Sequence, residues 1–391
     1  MSQLWSKGMP LDELILKFTV GQDYLLDERL IPYDVEASKA HADMLASCGY
    51  LTSDEAWQLG RQLDRLAAEN AQGKWHISLE EEDCHTALEN RLGELGKKIH
   101  LGRSRNDQVL VALRLYMRSV VSDSRAKTQG LAQALEVVAR EQGGIPLPGY
   151  THLQRAMPSS VALWAGGFAA ELRSDTLSAA LELVEFNPLG SAAGYGTPGL
   201  NLDRDFTSKK LGFKNTQEPV TAVQLSRGKA EAALAFALTL ILQDVGRMAS
   251  DLCLFATQEF GFVTLPQEMT TGSSIMPQKR NPDVFELVRG VSAQAPTQLQ
   301  AILAITSKMP SGYHRDLQLI KAPLFQLIDS AFAVIEVMTH AIAGVRFNAD
   351  ATAAACTDDL YAAERAFKLV TEQGMAFRDA YKQVAEELSR S

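Results

Sequence analysis

Apolar residues recur three and four positions apart along most of this chain, and alternation of period two is scarce. From 107 to 141 there is no proline and a single glycine, while Leu110, Leu113, Met117, Val120, Leu131, Leu135 and Val138 fall on one helical stripe. That pattern predicts a helix of unusual length. Comparable segments are expected at 158–185, 225–258, 282–307 (with Pro296 as a kink) and 316–344. Shorter helical patterns occupy 34–45, 53–70 and 81–92 before them, and 349–356, 359–373 and 377–388 after them. The expected fold is all-α. It comprises an elongated bundle of long helices over 107–346, a small helical N-terminal domain (1–106) and a short helical C-terminal domain (347–391). Residues 230–242, AEAALAFALTLIL, are apolar nearly all round, so this helix should be covered on every side. In a narrow bundle subunit association achieves that most easily, and a homo-oligomer is expected.

Composition narrows the class. The 391 residues carry 38 Lys+Arg against 47 Asp+Glu, a net charge of −9, which argues against nonspecific nucleic-acid binding. Cys48, Cys84, Cys253 and Cys356 are widely spaced, without a CxxC or Cys/His metal pattern, so no disulfide and no metal are expected. The N-terminus, MSQLWSKGMPLDELI, has no signal-like apolar core, and the longest strongly apolar run, 232–243, is too short to span a membrane. A soluble, cytoplasmic protein without membrane association is the expectation.

Four polar stretches stand at the ends of the long helical patterns. In 271–283, TGSSIMPQKRNPD, small residues and hydroxyls precede Lys279, Arg280 and Asn281, and Pro282-Asp283 suits a helix start. Such a loop, feeding the positive end of a helix, fits a bound carboxylate or phosphate. Residues 100–109, HLGRSRNDQV, place Arg103, Arg105 and Asn106 at the head of the longest helix. Residues 149–158, GYTHLQRAMP, offer Thr151, His152 and Gln154, and imidazole is the group best suited to proton transfer near neutral pH. Residues 312–321, GYHRDLQLIK, crowd Tyr313, Gln318 and Lys321 into one junction. The glycine-rich segment 187–200 is too irregular for a nucleotide fingerprint, and no cofactor lysine motif or nucleophile elbow is present. Hydroxyl, imidazole, lysine, arginines and amides suit cofactor-free proton abstraction beside a carboxylate.

GSSIMPQKRNPD resembles the signature of the fumarase/aspartase superfamily of lyases. HLGRSRNDQV, EDCHTALE at 82–89, GYTHLQRAMP and YHRDLQ together resemble its argininosuccinate lyase branch, over nearly the whole chain. The resemblance implies β-elimination of argininosuccinate to arginine and fumarate, without cofactor. By it, Ser273 is the general base, His152 the residue linked to protonation of the leaving nitrogen, and Glu286 its orienting partner. Lys279 and Asn281 hold the carboxylate of the carbanion-like intermediate. Ser104, Asn106 and Thr151 are further substrate contacts, with Gln154 grouped beside them. Arg105, Tyr313, Gln318 and Lys321 are placed near the arginine half and the carboxylates, and Asp83 and His85 near the site. The resemblance also implies a homotetramer whose active sites gather segments from three subunits.

Some positions depart from the family pattern. Asp23 stands about where many relatives have a substrate-contacting serine, Leu101 replaces a threonine, His314 an asparagine, and GSAAGYGT a more usual GAGALAGT. The C-terminal domain is expected to be shorter than is common. The alternatives are a sister lyase acting on adenylosuccinate and an inert structural homologue of the delta-crystallin kind.

Overall fold

A computed structural model describes residues 12–390; the first eleven residues, which include most of the stretch MSQLWSKGMPLDELI, lie outside the described part. Helices dominate. Four are long: Arg105–Gln142 (38 residues), Lys229–Phe255 (27), Asp283–Thr306 (24) and Lys321–Gly344 (24). They match four of the five long patterns, and Pro296 lies inside its helix as expected. The last is preceded by a tight 3₁₀ stretch, Arg315–Ile320, carrying the RDLQ residues.

The fifth pattern, 158–185, is corrected. Its first residues belong to the strand Gln154–Ser160, which pairs antiparallel with Pro146–Thr151. Pro158 suits an extended edge position, and the Ser160 hydroxyl then caps the helix Val161–Leu172 by accepting from the Leu163 N–H at 3.2 Å. A non-helical run, 173–177, polar up to Thr176, separates that helix from Ser178–Val184. Helical spacing persisted across the gap, but the backbone is extended at one end and broken in the middle.

Local signals explain the shorter helices. Thr52 and Glu55 form a reciprocal capping box at the start of Ser53–Ala71, and Asp83 caps Cys84–Leu92 through the Thr86 N–H at 2.8 Å. Gly374, in the left-handed region at φ 67°, ends Ala362–Gln373, and Phe377–Leu388 packs back onto it through Ala366, Ala380 and Val384.

The chain divides into two compact units: Met1–Ser124 with Thr176–Thr239 and Ala295–Asp329, and Arg125–Asp175 with Leu240–Gln294 and Ser330–Ser391. Each division point falls inside or beside a helix, so the long helices contribute residues to both. Two helical stretches, Ala222–Phe255 and Arg315–Gly344, are long and apolar enough to cross a membrane by length and composition. About half of their most apolar windows is buried inside the chain, 56% and 50%. The second stretch carries the buried, charged Lys321 within it. Residues 230–242 are mostly buried as expected, but Phe236 remains about half exposed in the single chain.

Candidate active site

The first unit contains a cavity of about 130 Å³. Eight of the residues singled out from the sequence line it: Asp23, Asp83, His85, Arg105, Asn106, Tyr313, Gln318 and Lys321. They come from segments nearly 300 residues apart. Asp27, Val109, Arg227 and Arg315 complete the wall; Arg315 belongs to the junction noted in the sequence, and the other three were not singled out there. Asp27 could have been noticed as a second acid four residues after Asp23; Arg227 gave no local signal.

The cavity wall is held by paired charges. Lys321, fully buried, places its Nζ 2.6 Å from both Asp23 and Asp27. Burial alone would strip its proton, but the two carboxylates outweigh that and raise its pKa. Asp23 moves the other way from an ordinary acid. Burial lifts it to about 7, with Lys321 opposing and Asp27 reinforcing the rise. Arg105 donates from Nε to Asp83 at 2.6 Å and from Nη2 to Glu82 at 3.0 Å. Burial pushes the Asp83 carboxyl upward, yet Arg105, His85 and the Thr86 N–H together hold it below its usual value. His85 gives Asp34 a contact of 3.0 Å; burial disfavours its charge, and Asp34 with its neighbouring acids more than compensates, raising its pKa. Arg315 reaches Glu82 at 3.3 Å, and Gln318 donates to the Thr19 and Val20 carbonyls at 3.0 Å.

Asp27, Cys84 and His85 bring metal-ligand atom types within 4.8 Å of one another. The Lys321 ammonium already occupies Asp27 and Asp34 already engages His85, so this donor set is committed to ion pairs rather than built for a cation.

Arg105 and Asn106 reach the cavity because of how their helix begins. Ser104 caps it, its hydroxyl accepting from the Asn106 N–H at 3.4 Å while its own N–H donates to Asp107 at 2.9 Å. The other Asp107 oxygen accepts from Gly190 at 2.9 Å and Ala192 at 2.8 Å, tying the glycine-rich segment to the same helix end. Burial lifts Asp107 to about 6 against the pull of these N–H groups and of Arg103. Ser104 and Arg103 do not line the cavity. Arg103 is buried elsewhere, with Nη1 donating to Ser38 at 2.7 Å.

The remaining candidates lie in the second unit, in segments that contrast with this wall. His152 and Leu153 form the two-residue turn of the hairpin, with Thr151 and Gln154 closing it. Both turn residues have positive φ, 52° and 60°. That conformation matches the twist of a tight hairpin, but it suits glycine or asparagine and strains a leucine. The segment expected to lead into a long helix is thus a hairpin, and the imidazole is exposed at its tip.

Loop 271–283 is closed at its neck, where Thr271 and Asn281 exchange backbone hydrogen bonds of 3.2 and 2.8 Å. The Thr271 hydroxyl also bonds Asp283. Inside the loop the Ser273 Oγ accepts from the Met276 N–H at 3.2 Å and the Ile275 N–H at 3.4 Å. Lys279 is exposed, Asn281 half-buried, and Glu286 exposed on the first turn of Asp283–Thr306.

Comparison with known proteins agrees with these features. The profile of the lyase family matches residues 8–297. An argininosuccinate lyase of Thermotoga neapolitana is 41% identical over 99% of this chain and 98% of its own length. One of Sorangium cellulosum is 43% identical, over 99% of this chain and 91% of its own. The chain belongs to the argininosuccinate lyase family. Among solved structures, an EDDS lyase in complex with formate superposes with a TM-score of 0.78 at 26% identity, covering 96% of this chain and 76% of that one. The all-α lyase architecture expected from the helical pattern is thus the fold of this family as well.

Proposed function

We propose that this protein is an argininosuccinate lyase, cleaving the C–N bond of argininosuccinate to release arginine and fumarate. The observation that carries the reading is the Ser273 hydroxyl, held as an acceptor of two backbone N–H groups in the signature loop of a chain of this family. An ordinary serine is too weak an acid to act as a base. Donors already aimed at its oxygen favour the alkoxide, as would Lys279 from the same loop once water is excluded.

In this reading Ser273 removes the proton from the carbon beside a succinyl carboxylate. Lys279 and Asn281 hold that carboxylate as charge builds on it, and His152, oriented by Glu286, delivers a proton to the departing guanidinium nitrogen. Thr151, Gln154 and Ser104 bind around the scissile bond. The first-unit cavity receives the arginine half, where Arg105, Asn106, Tyr313, Gln318 and Lys321 make the contacts, Asp23 takes the position of the more usual serine, and Asp83 and His85 buttress the wall. In this reading no cofactor takes part: Ser273 takes up the proton lost by the substrate carbon and His152 supplies the one gained by the leaving nitrogen.

We also propose a cytoplasmic homotetramer with composite active sites. Phe236, Leu287 and Leu303 are each more than half exposed on long helices, a poor arrangement for a lone chain and a good one for helix-to-helix association. Exposed catalytic segments such as the hairpin tip and loop 271–283 would gain their surroundings in the same way. The deciding experiment is fumarate release, followed by ultraviolet absorbance, with argininosuccinate and adenylosuccinate offered separately. Release from argininosuccinate alone supports the assignment. Release only from the purine-linked substrate, or from neither by a folded tetramer, sinks it.

A further inference from the structure

Arg227 is a cavity-lining cation whose bonding is incomplete. Its side chain is 2% exposed, yet among the described residues Nε and Nη1 have no hydrogen-bond partner. Glu231 stands 3.7 Å from Nε, beyond hydrogen-bond reach, and turns its other oxygen to the Gly228 N–H at 2.9 Å. The other cations of the wall are committed: Lys321 to Asp27 at 2.6 Å, Arg105 to Asp83 at 2.6 Å, Arg315 to Glu82 at 3.3 Å. The Tyr313 ring covers one face of the Arg227 guanidinium, 6.0 Å from its centroid. A guanidinium stays charged when buried, so donors left open beside a cavity call for an anionic oxygen.

We propose that Arg227 is a substrate-binding residue that grips the α-carboxylate of the arginine half. This rests on the lyase reading above. An α-amino-acid end brings one carboxylate and one ammonium; Arg227 meets the first, and the second faces a wall in which the single cation Lys321 is shared by two acids, Asp23 and Asp27. The succinyl carboxylates are already assigned, in the lyase reading, to Ser273, Lys279 and Asn281, which leaves the α-carboxylate as the anion for which Arg227 is the open donor.

The test compares Arg227→Gln with the unaltered full-length enzyme, using argininosuccinate turnover and inhibition by arginine, decarboxylated arginine and fumarate. The KM and the inhibition constant of arginine should rise together about 10- to 100-fold, as loss of a charged hydrogen bond implies. Inhibition by decarboxylated arginine and by fumarate should stay within about twofold, because neither presents the carboxylate in question. Arg227→Lys should recover part of the arginine affinity. Equal weakening of arginine and its decarboxylated form would overturn the proposal in favour of a packing role, and weakening of fumarate instead would place Arg227 at the succinyl end. An unchanged KM would remove it from binding altogether. If Arg227→Gln misfolds because Glu231 is stranded, the Arg227→Gln/Glu231→Gln pair carries the same comparison. Should the unaltered protein release no fumarate, the lyase reading falls alone; calorimetry with arginine and its decarboxylated form still decides Arg227.

Discussion

The wall of the first-unit cavity and the signature loop of the second unit solve opposite problems with the same residue types. In the wall, Lys321 is buried and locked between Asp23 and Asp27 at 2.6 Å each, and Arg105 between Asp83 and Glu82. In the loop, Lys279 is exposed, and Ser273 is anchored only by two nearby N–H groups. Binding a flexible, multiply charged molecule benefits from charges fixed beforehand, since their ordering cost is met on folding rather than on binding. Chemistry at a carbon acid benefits from a segment that closes and excludes water only when substrate is present. On the lyase reading proposed above, the contrast puts recognition in the ion-paired wall and turnover in the exposed loop.

Separating the two in kinetics should give the largest effect. Ser273→Ala is expected to lower kcat by about 10²–10⁴-fold with KM changed less than about threefold, measured by fumarate release. Turnover retained within tenfold would dissolve the division of labour. Next in size, Lys321→Met strands two buried carboxylates and should cost about 3–5 kcal/mol in denaturant unfolding. A loss below about 1 kcal/mol would mean the wall relaxes as freely as a surface.

Acidity sharpens the comparison further. Asp23 is raised from near 3.8 to about 7, so the folded protein binds more protons than the unfolded chain between those values. Its contribution is therefore most favourable at about pH 4 and below, and is lost as pH rises towards 7; Asp107, raised to about 6, acts in the same sense over a narrower window. Asp23→Asn should flatten the fall in stability between pH 4 and 7, by at most about 1.4 kcal/mol per pH unit. Unfolding titrations with unchanged slope would show that Lys321 keeps Asp23 ionised throughout. The smallest effect concerns the hairpin tip. Leu153→Gly should relieve left-handed strain and stabilise the protein by about 1 kcal/mol, read as a raised melting temperature. A lowered melting temperature would show that the exposed leucine is engaged in the assembled protein.

Much of this was legible in the sequence. The long helix over 107–141 was visible because apolar residues keep helical spacing for ten turns, and its observed span, Arg105–Gln142, differs by only a few residues. Thr52 and Glu55 announced their helix by a purely local exchange of hydrogen bonds. Residue types and spacing in 100–109, 271–283 and 312–321 were enough to nominate the loop and half of the cavity, including Arg105, Asn106, Tyr313, Gln318 and Lys321, whereas Asp23, Asp83 and His85 entered through the family resemblance. The hairpin was missed because Thr151 to Ser160 has no strong alternation, and its strands are defined by pairing with each other rather than by their own pattern.

What the chain determined alone is what depends on neighbours within a turn or two: helix existence, caps, and the chemistry available at each end. Only the tertiary structure decided which charges meet. Nothing local tells Lys321 that its partners are Asp23 and Asp27, nearly 300 residues earlier, or leaves Arg227 with open donors beside Tyr313. Ion pairing and burial depend on distance in space and on the exclusion of water, and both arise only when the helices have packed.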